Sequence, residues 1–205
     1  KPDDAEASPW REWLLIQLRG AWTVGGKTFP AGSLLAARFD DFVAGKRDLE
    51  PLFTPTARTS LSGYSTTRGA VLLSVLDNVR SKVVVARPGA KTWTTAPVAG
   101  LPEYGTISAS GVDNLTSDDY WLTITDFLSP TSLSLGSVGK GPREKLKQTP
   151  AYFDGSRHSV MQHEAVSLDG TRPFSSVTNR TGLRDGNPAP APHRNAPVGV
   201  SKPSG

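Results

Sequence analysis

Short apolar runs separated by turn-forming segments follow one another along most of the chain. Two of them, EWLLIQL at residues 12–18 and SLLAARF at residues 33–39, are typical of buried strands. The glycine-rich segment GAWTVGGKTFPAG between them predicts a looped hairpin. No segment shows the spacing of an amphipathic helix, and PREKLKQTPAYF at residues 142–153 is predicted to be a polar connector. The pattern therefore favours an all-β architecture.

A longer pattern repeats along the chain with an offset of 49 residues. The segment VLLSVLDNVRSKVVVA at residues 71–86 aligns with YWLTITDFLSPTSLSL at residues 120–135. Each unit reads as strand, short turn and strand, and Asp77 and Asp126 end the first strand of their respective units. The repeat predicts two copies of one supersecondary unit.

Further short strands complete each copy of this unit. KTWTTAPV at residues 91–98 and GTISASGV at residues 105–112 are predicted strands between the two copies. About four short strands in a period of about 40–50 residues are typical of β-propeller blades. EWLLIQL and SLLAARF fit an earlier blade with a longer insertion. We therefore predict a partial β-propeller of about three blades, with a β-sandwich of similar hairpins as the alternative.

The chain divides into three predicted segments: an N-terminal loop at residues 1–11, propeller blades at residues 12–172 and a disordered tail at residues 173–205. The tail contains six prolines and four glycines, and its few apolar side chains cannot offset the entropy of ordering. Leu168-Asp169-Gly170 predicts a hairpin turn, but a return strand after Thr171-Arg172 is not expected because Pro173 and a polar sequence follow.

Charge and composition narrow the function classes. The net charge is +4, and most of it lies in the tail, which contains four basic residues and one acidic residue. The rest of the chain is nearly neutral, so we expect no nucleic-acid partner. No apolar run approaches the ~20 residues of a membrane span, so no membrane partner is expected. The absence of cysteine excludes thiolate catalysis and cysteine-based zinc sites. The N-terminal sequence KPDDAEASPW lacks the pattern of a signal peptide, and both cytoplasmic and periplasmic locations stay open.

No serine in the chain has the surroundings of a hydrolase nucleophile. The nearest strings are GYSTT, with Ser65 at its centre, and GVSKP, with Ser201 at its centre. Both lack the second glycine of the G-x-S-x-G turn that exposes such a nucleophile. We therefore assign no catalytic residue, and the substrate-binding residues are left unassigned.

The histidines do not predict a metal site. His158 and His163 are five residues apart in RHSVMQHEAV, which places them on opposite faces of a strand, and Glu164 shares the face of His158. His193 lies among the prolines of the tail. We expect no metal and no cofactor.

Three other features are interpreted structurally. GSVGKG at residues 136–141 resembles a phosphate-binding loop, but its spacing differs, and Lys140 is followed by Gly141 and Pro142 instead of Ser or Thr. The pairs Asp40-Asp41 and Asp118-Asp119 are predicted to form turns.

The five tryptophans are predicted to pack in the core and between blades: Trp10, Trp13, Trp22, Trp93 and Trp121.

Three segments resemble the later propeller blades of prolyl oligopeptidase-type serine peptidases. They are RTSLSGYSTTRGAVLLSVLDNVRSKV, DDYWLTITDFLSPTSLSLG and KLKQTPAYFDGS followed by VMQHEAVSLDGTR. The resemblance runs from about Trp13 to Arg172, and its most specific parts are TDFLSPTSLSLG and the closing segment ending in SLDGTR. After Pro173-Phe174 the match stops.

The resemblance implies a function for the parent enzyme. In that family a seven-bladed propeller caps an α/β-hydrolase domain and restricts the active site to short peptides. The segment ending in SLDGTR marks the passage into the hydrolase domain, so the family's catalytic Ser, Asp and His have no counterpart in this chain. The implied partners are a peptide substrate and the missing hydrolase domain. The alternative is a free-standing β-rich module that binds a protein or peptide.

An incomplete ring has a further consequence. A closed propeller covers both faces of every blade, whereas a chain of about three blades would leave apolar faces and strand edges at its two ends. Self-association through these surfaces is therefore expected.

Overall fold

The computed structural model describes residues 1–78, 80–90, 92–140, 143–164 and 174–180. These residues form antiparallel strands and two short helical turns, α1 at Phe39–Val43 and a 3-10 turn at Gly155–Arg157. In chain order the strands are β1 (Glu6–Trp10), β2 (Trp13–Gln17), β3 (Trp22–Val24), β4 (Lys27–Phe29), β5 (Leu34–Arg38), β6 (Glu50–Phe53), β7 (Thr59–Thr66), β8 (Val71–Asp77), β9 (Arg80–Pro88), β10 (Trp93–Pro97), β11 (Thr106–Gly111), β12 (Asp119–Thr125), β13 (Ser132–Ser137), β14 (Glu144–Gln148), β15 (His158–Glu164) and β16 (Phe174–Arg180).

Most strands belong to three four-stranded sheets, which we call blades 1, 2 and 3. Their strand orders are β1-β2-β5-β6, β7-β8-β9-β10 and β11-β12-β13-β14. Two-stranded sheets are formed by β3-β4 and by β15-β16. The predicted all-β fold with about three propeller blades is confirmed, and the β-sandwich alternative is not needed. Asp77 ends β8 and Asp126 directly follows β12, so the 49-residue repeat marks equivalent positions in two blades.

The predicted N-terminal loop at residues 1–11 is corrected by strand β1. Its residues pair with β2 along their whole length, from Glu6 opposite Gln17 to Trp10 opposite Trp13. The polar sequence and Pro9 concealed this strand. Proline is tolerated there because β1 is the edge strand of blade 1, where its missing N–H removes no ladder hydrogen bond.

The C-terminal part of the chain also contains more strands than predicted. The predicted connector contains β14, an exposed edge strand paired with β13. Strand β16 pairs with β15, from His158 opposite Arg180 to Glu164 opposite Phe174, so the predicted coil does not include residues 174–180. Backbone hydrogen bonds hold β16 against β15, and such bonds do not require apolar side chains. The turn predicted at residues 168–170 and residues 181–205 lie outside the described residues.

Strand β8 is buried on both faces between neighbouring blades. Val71 and Leu73 pack toward Leu15 of blade 1, whereas Leu72 packs toward Leu122 of blade 3. All of these side chains are almost fully buried. The apolar run VLLSVL therefore reflects two covered sheet faces rather than one.

Aromatic side chains fill the junction between blades 1 and 2. The ring of Trp93 lies 6.0 Å from that of Trp10 and 5.0 Å from that of Trp13, measured between ring centroids. This confirms the predicted packing role for these three tryptophans. Trp121 differs, because it lies on the other face of β12 from Leu122 and is 36% exposed.

The other face of blade 1 is covered by the chain itself. Leu14, Ile16 and Leu35 on this face are buried beneath the β3-β4 hairpin, which contributes Phe29 and Trp22. The long insertion predicted between β2 and β5 thus caps the blade. The expectation of an open apolar face at this end of the chain is therefore wrong.

Truncation of Leu122 tests the packing between blades 2 and 3. Leu122→Ala should lower the free energy of unfolding by about 2–5 kcal/mol, because the cavity left between two sheets cannot fully collapse. Urea denaturation followed by tryptophan fluorescence measures the change. Leu115→Ala is the matched control, since Leu115 is 80% exposed and its truncation should change stability by less than about 0.5 kcal/mol. Equal effects of the two substitutions would contradict this packing.

Self-association is expected to involve the face of blade 3 that carries Trp121. Trp121→Ser should shift the sedimentation profile toward the monomer at micromolar concentration, because it removes the largest apolar side chain from that face. Val43→Ser is the control, since Val43 is also an exposed apolar residue but lies in α1, which contacts blade 1. A wild-type chain that sediments as a monomer at all concentrations would refute the expectation.

Candidate functional site

Two adjacent turns connect blades 2 and 3 through a carboxylate. Thr67 donates its hydroxyl proton to Asp118 Oδ1 over 2.9 Å, and the backbone N–H of Gly69 donates to the same oxygen over 2.6 Å. The backbone N–H of Arg68 donates to the carbonyl of Ser117 over 2.9 Å. Hydrogen bonds to a charged acceptor are stronger than neutral ones, so this contact holds the two blades in a defined orientation.

Blade 1 is attached to the same point. Trp10 donates its indole N–H to the carbonyl oxygen of Thr67 over 2.8 Å, and this hydrogen bond is buried. Arg11 donates to the carbonyl oxygen of Arg68 over 3.3 Å. The turn after β7 therefore contacts both neighbouring blades, and we call these hydrogen bonds around Thr67 and Asp118 the turn contacts.

The predicted aspartate pairs have different environments. Asp118 lies in the loop before β12, after a turn at residues 114–116. Asp119 begins β12, where hydrogen bonds from the side chains of Ser117 and then Ser137 hold its pKa below the usual range. The prediction of a turn at Asp40-Asp41 is wrong, because both residues lie in α1. The backbone N–H of Ala44 donates to the Asp40 carbonyl, which closes this short helix.

The serine and histidine candidates do not converge in the described part of the chain. Ser65 lies in β7, where its hydroxyl accepts a hydrogen bond from the backbone N–H of Gly111 in β11 over 3.0 Å. His158 and His163 both lie in β15, and the His158 ring contacts Phe153. Ser201 and His193 lie outside the described residues.

Neither a metal centre nor a membrane-spanning helix is seen among the described residues. They contain no group of three His, Cys, Asp or Glu side chains placed to hold a metal ion. Their helices are also too short and polar to cross a bilayer.

A cleft of about 850 Å³ lies between the outer strands of blades 2 and 3, and we call it the basic groove. Its apolar surface is contributed by Val85, Ile124 and Val138. Four cationic side chains also line it: Arg87, Lys140, Arg143 and Lys145. No carboxylate is among the lining residues in the described part of the chain. The volume falls within the range of ligand pockets in proteins.

The glycine-rich segment after β13 forms one wall of this groove. Gly139 has a φ of +81°, and a Cβ there would meet the guanidinium of Arg87. Arg143 donates to the carbonyl oxygens of Ala99 and Gly100, each over 2.8 Å, which fixes a cation at the blade 2–blade 3 boundary. The segment GSVGKG, which resembles a phosphate loop in sequence, lines this groove with its residues from Ser137 to Lys140.

The three blades and their turn contacts define the chain as part of a β-propeller. No protein-family model matches it. An uncharacterized peptidase from Sinorhizobium fredii is 33% identical over 173 residues, which cover 82% of this chain and 24% of the relative. The solved structure of a post-proline cleaving enzyme from Rickettsia typhi superposes with a TM-score of 0.72 and 29% identity, covering 90% of this chain and 27% of that one.

A more distant solved structure shares the fold. Oligopeptidase B from Trypanosoma brucei has a TM-score of 0.66 and 14% identity over 91% of this chain and 26% of its own. The predicted resemblance is confirmed: the chain is similar to the propeller part of prolyl oligopeptidase-type peptidases. It spans about a quarter of the length of the curated relatives that it matches.

Removing the carboxylate tests the turn contacts. Asp118→Ala should lower the free energy of unfolding by about 1–3 kcal/mol, because two donors on blade 2 lose their acceptor. Asp113→Ala is the matched control in the same loop, since the donors to Asp113 among the described residues are its neighbours Leu115 and Thr116 within blade 3. Thermal and urea unfolding measure both. A control that is as destabilised as Asp118→Ala would contradict a role between blades.

Proposed function

We propose that this chain is the non-catalytic propeller portion of a prolyl oligopeptidase-type serine peptidase. In the longer protein it would gate the access of peptides to a separate hydrolase domain. The observation that carries the proposal is the superposition of the three consecutive blades on part of a post-proline cleaving enzyme, at 29% identity. The similarity in fold and in sequence thus extends over 90% of this chain.

Gating by exclusion requires that the blades do not separate easily. The buried faces of β8 and the turn contacts join each blade to the next at both apolar and polar surfaces. Closely packed interiors resist deformation, so such a ring sector would admit substrates according to their size. The geometry supports a passive steric role for this part of the chain.

The inner edge of blades 2 and 3 carries no charged side chain, whereas the corresponding strand of blade 1, β1, contains Glu6. Strand β11 packs against β7, and a Cβ at Gly111 would overlap the carbonyl oxygen of Thr66. Propeller blades surround a central channel, and we infer from the close contact between β7 and β11 that these two strands border it. The sequences of β7 and β11, TSLSGYST and TISASG, carry hydroxyl groups and no charge. A passage along them would select peptides by size rather than by charge.

The second candidate is a free-standing module that binds a protein or peptide. The basic groove favours it, because a lined cleft lies outside the inner edge. The coding sequence adjoining this chain discriminates between the two. A downstream frame that encodes a G-x-S-x-G hydrolase domain supports the peptidase proposal, and its absence supports the module.

The purified chain of 205 residues should not cleave a proline-containing chromogenic peptide. The reason is that neither the Ser65 nor the Ser201 string has the nucleophile turn of a hydrolase. The post-proline cleaving enzyme from Rickettsia typhi serves as the positive control in the same assay. Turnover that persists through repurification and is stopped by a serine-directed inhibitor would refute the proposal.

A further inference from the structure

We propose that the basic groove binds an acidic, extended peptide segment between the outer strands of blades 2 and 3. This inference does not depend on the proposed gating role. It rests on the combination of four cations with an aliphatic surface and with no lining carboxylate among the described residues. An occupant with alternating acidic and aliphatic side chains complements both features.

The cations of the groove are positioned by the fold. Arg143 is held by two carbonyl oxygens of the segment that follows β10, and Gly139 leaves room for the Arg87 guanidinium. Lys145 donates to Gln148 Oε1 over 2.8 Å, a neutral partner that leaves its charge uncompensated. Asp119 lies close enough to Lys140 to interact electrostatically, but it does not line the groove.

A β-bulge selects which lysine of β14 enters the groove. The register between β13 and β14 shifts at Leu133 and Ser134, so that Lys145 lies opposite Ser134 and Lys147 lies opposite Leu133. Ser134 and Lys145 line the groove, whereas Leu133 and Lys147 do not. An extra residue in one strand turns the side chains beyond it to the opposite face of the sheet. Lys145 therefore lines the groove and Lys147 does not, although they are two positions apart.

The occupant is expected to bind through side chains rather than by extending the sheet of blade 2. At the free edge of β10, the backbone N–H of Trp93 already donates to Glu50 over 2.6 Å. Pro97, at the other end of β10, has no N–H to donate. Strand β10 is five residues long, and an extended peptide beside it would span about 16 Å at about 3.3 Å per residue.

A peptide fits the groove better than a nucleic acid. Single-stranded nucleic acids are held by exposed aromatic rings on which bases stack. The aromatic residue that lines the groove, Tyr120, is buried at 5% exposure, and the remaining apolar surface is aliphatic. This leaves no stacking platform within the described residues of the groove.

Fluorescence anisotropy with labelled hexapeptides tests the proposal. The acidic probe Glu-Val-Glu-Val-Glu-Val should bind saturably to the 205-residue chain, and more weakly as salt is raised, because screening weakens attraction between exposed charges. The probe with Lys in place of Glu should not bind. A six-nucleotide oligothymidylate should bind more weakly than the acidic peptide.

Two single substitutions locate the binding. Lys145→Glu should weaken binding of the acidic peptide by about fivefold or more, because it reverses a charge that faces the ligand. Lys147→Glu makes the same change on the same strand outside the groove and should weaken binding less than about twofold. Both lysines are exposed, and circular dichroism should show both variants folded. Equal losses in the two variants, no saturable binding, or tighter binding of the oligothymidylate would each overturn the proposal.

Discussion

The burial of β8 between two blades is the interaction on which the rest of the described structure depends. A four-stranded sheet with two apolar faces is not stable alone, because each face removes apolar surface from water only when another layer covers it. Val71 and Leu73 meet blade 1, and Leu72 meets blade 3. One strand thus links the cores of three sheets, and the stability of each blade depends on its neighbours, as in other repeat architectures.

The polar contacts and the basic groove both follow from this stacking. Inner strands β7 and β11 approach closely enough for the turn around Thr67 to meet Asp118, whereas the outer strands β10 and β14 diverge. The space between the outer strands is the basic groove. The basic groove is therefore a geometric consequence of sheets that are close at their inner strands and separate at their outer strands.

Sequence reasoning succeeded for the central strands and for the edge strands β10 and β11, and failed for the edge strands β1 and β14. The central strands β2, β5, β8 and β12 carry apolar runs because sheets cover them, and these runs were recognised. The edge strands β1 and β14 have one neighbour and largely exposed side chains, so backbone pairing holds them without an apolar signature. The cap on blade 1 was likewise missed, because the sequence of the β3-β4 hairpin does not reveal which surface it covers.

The sequence by itself determined the class of the fold, the repeat of the blades, the lack of cysteine chemistry and the resemblance to a peptidase family. Each of these depends on local sequence patterns, on their recurrence along the chain or on composition. Only the tertiary structure decided that Asp118 accepts a hydrogen bond from blade 2, since its donor Thr67 is 51 positions away in the chain. It alone also brought Arg87 beside Gly139 and Arg143 beside Ala99 and Gly100. Contacts between distant residues depend on how the sheets stack, and local patterns carry no record of that arrangement.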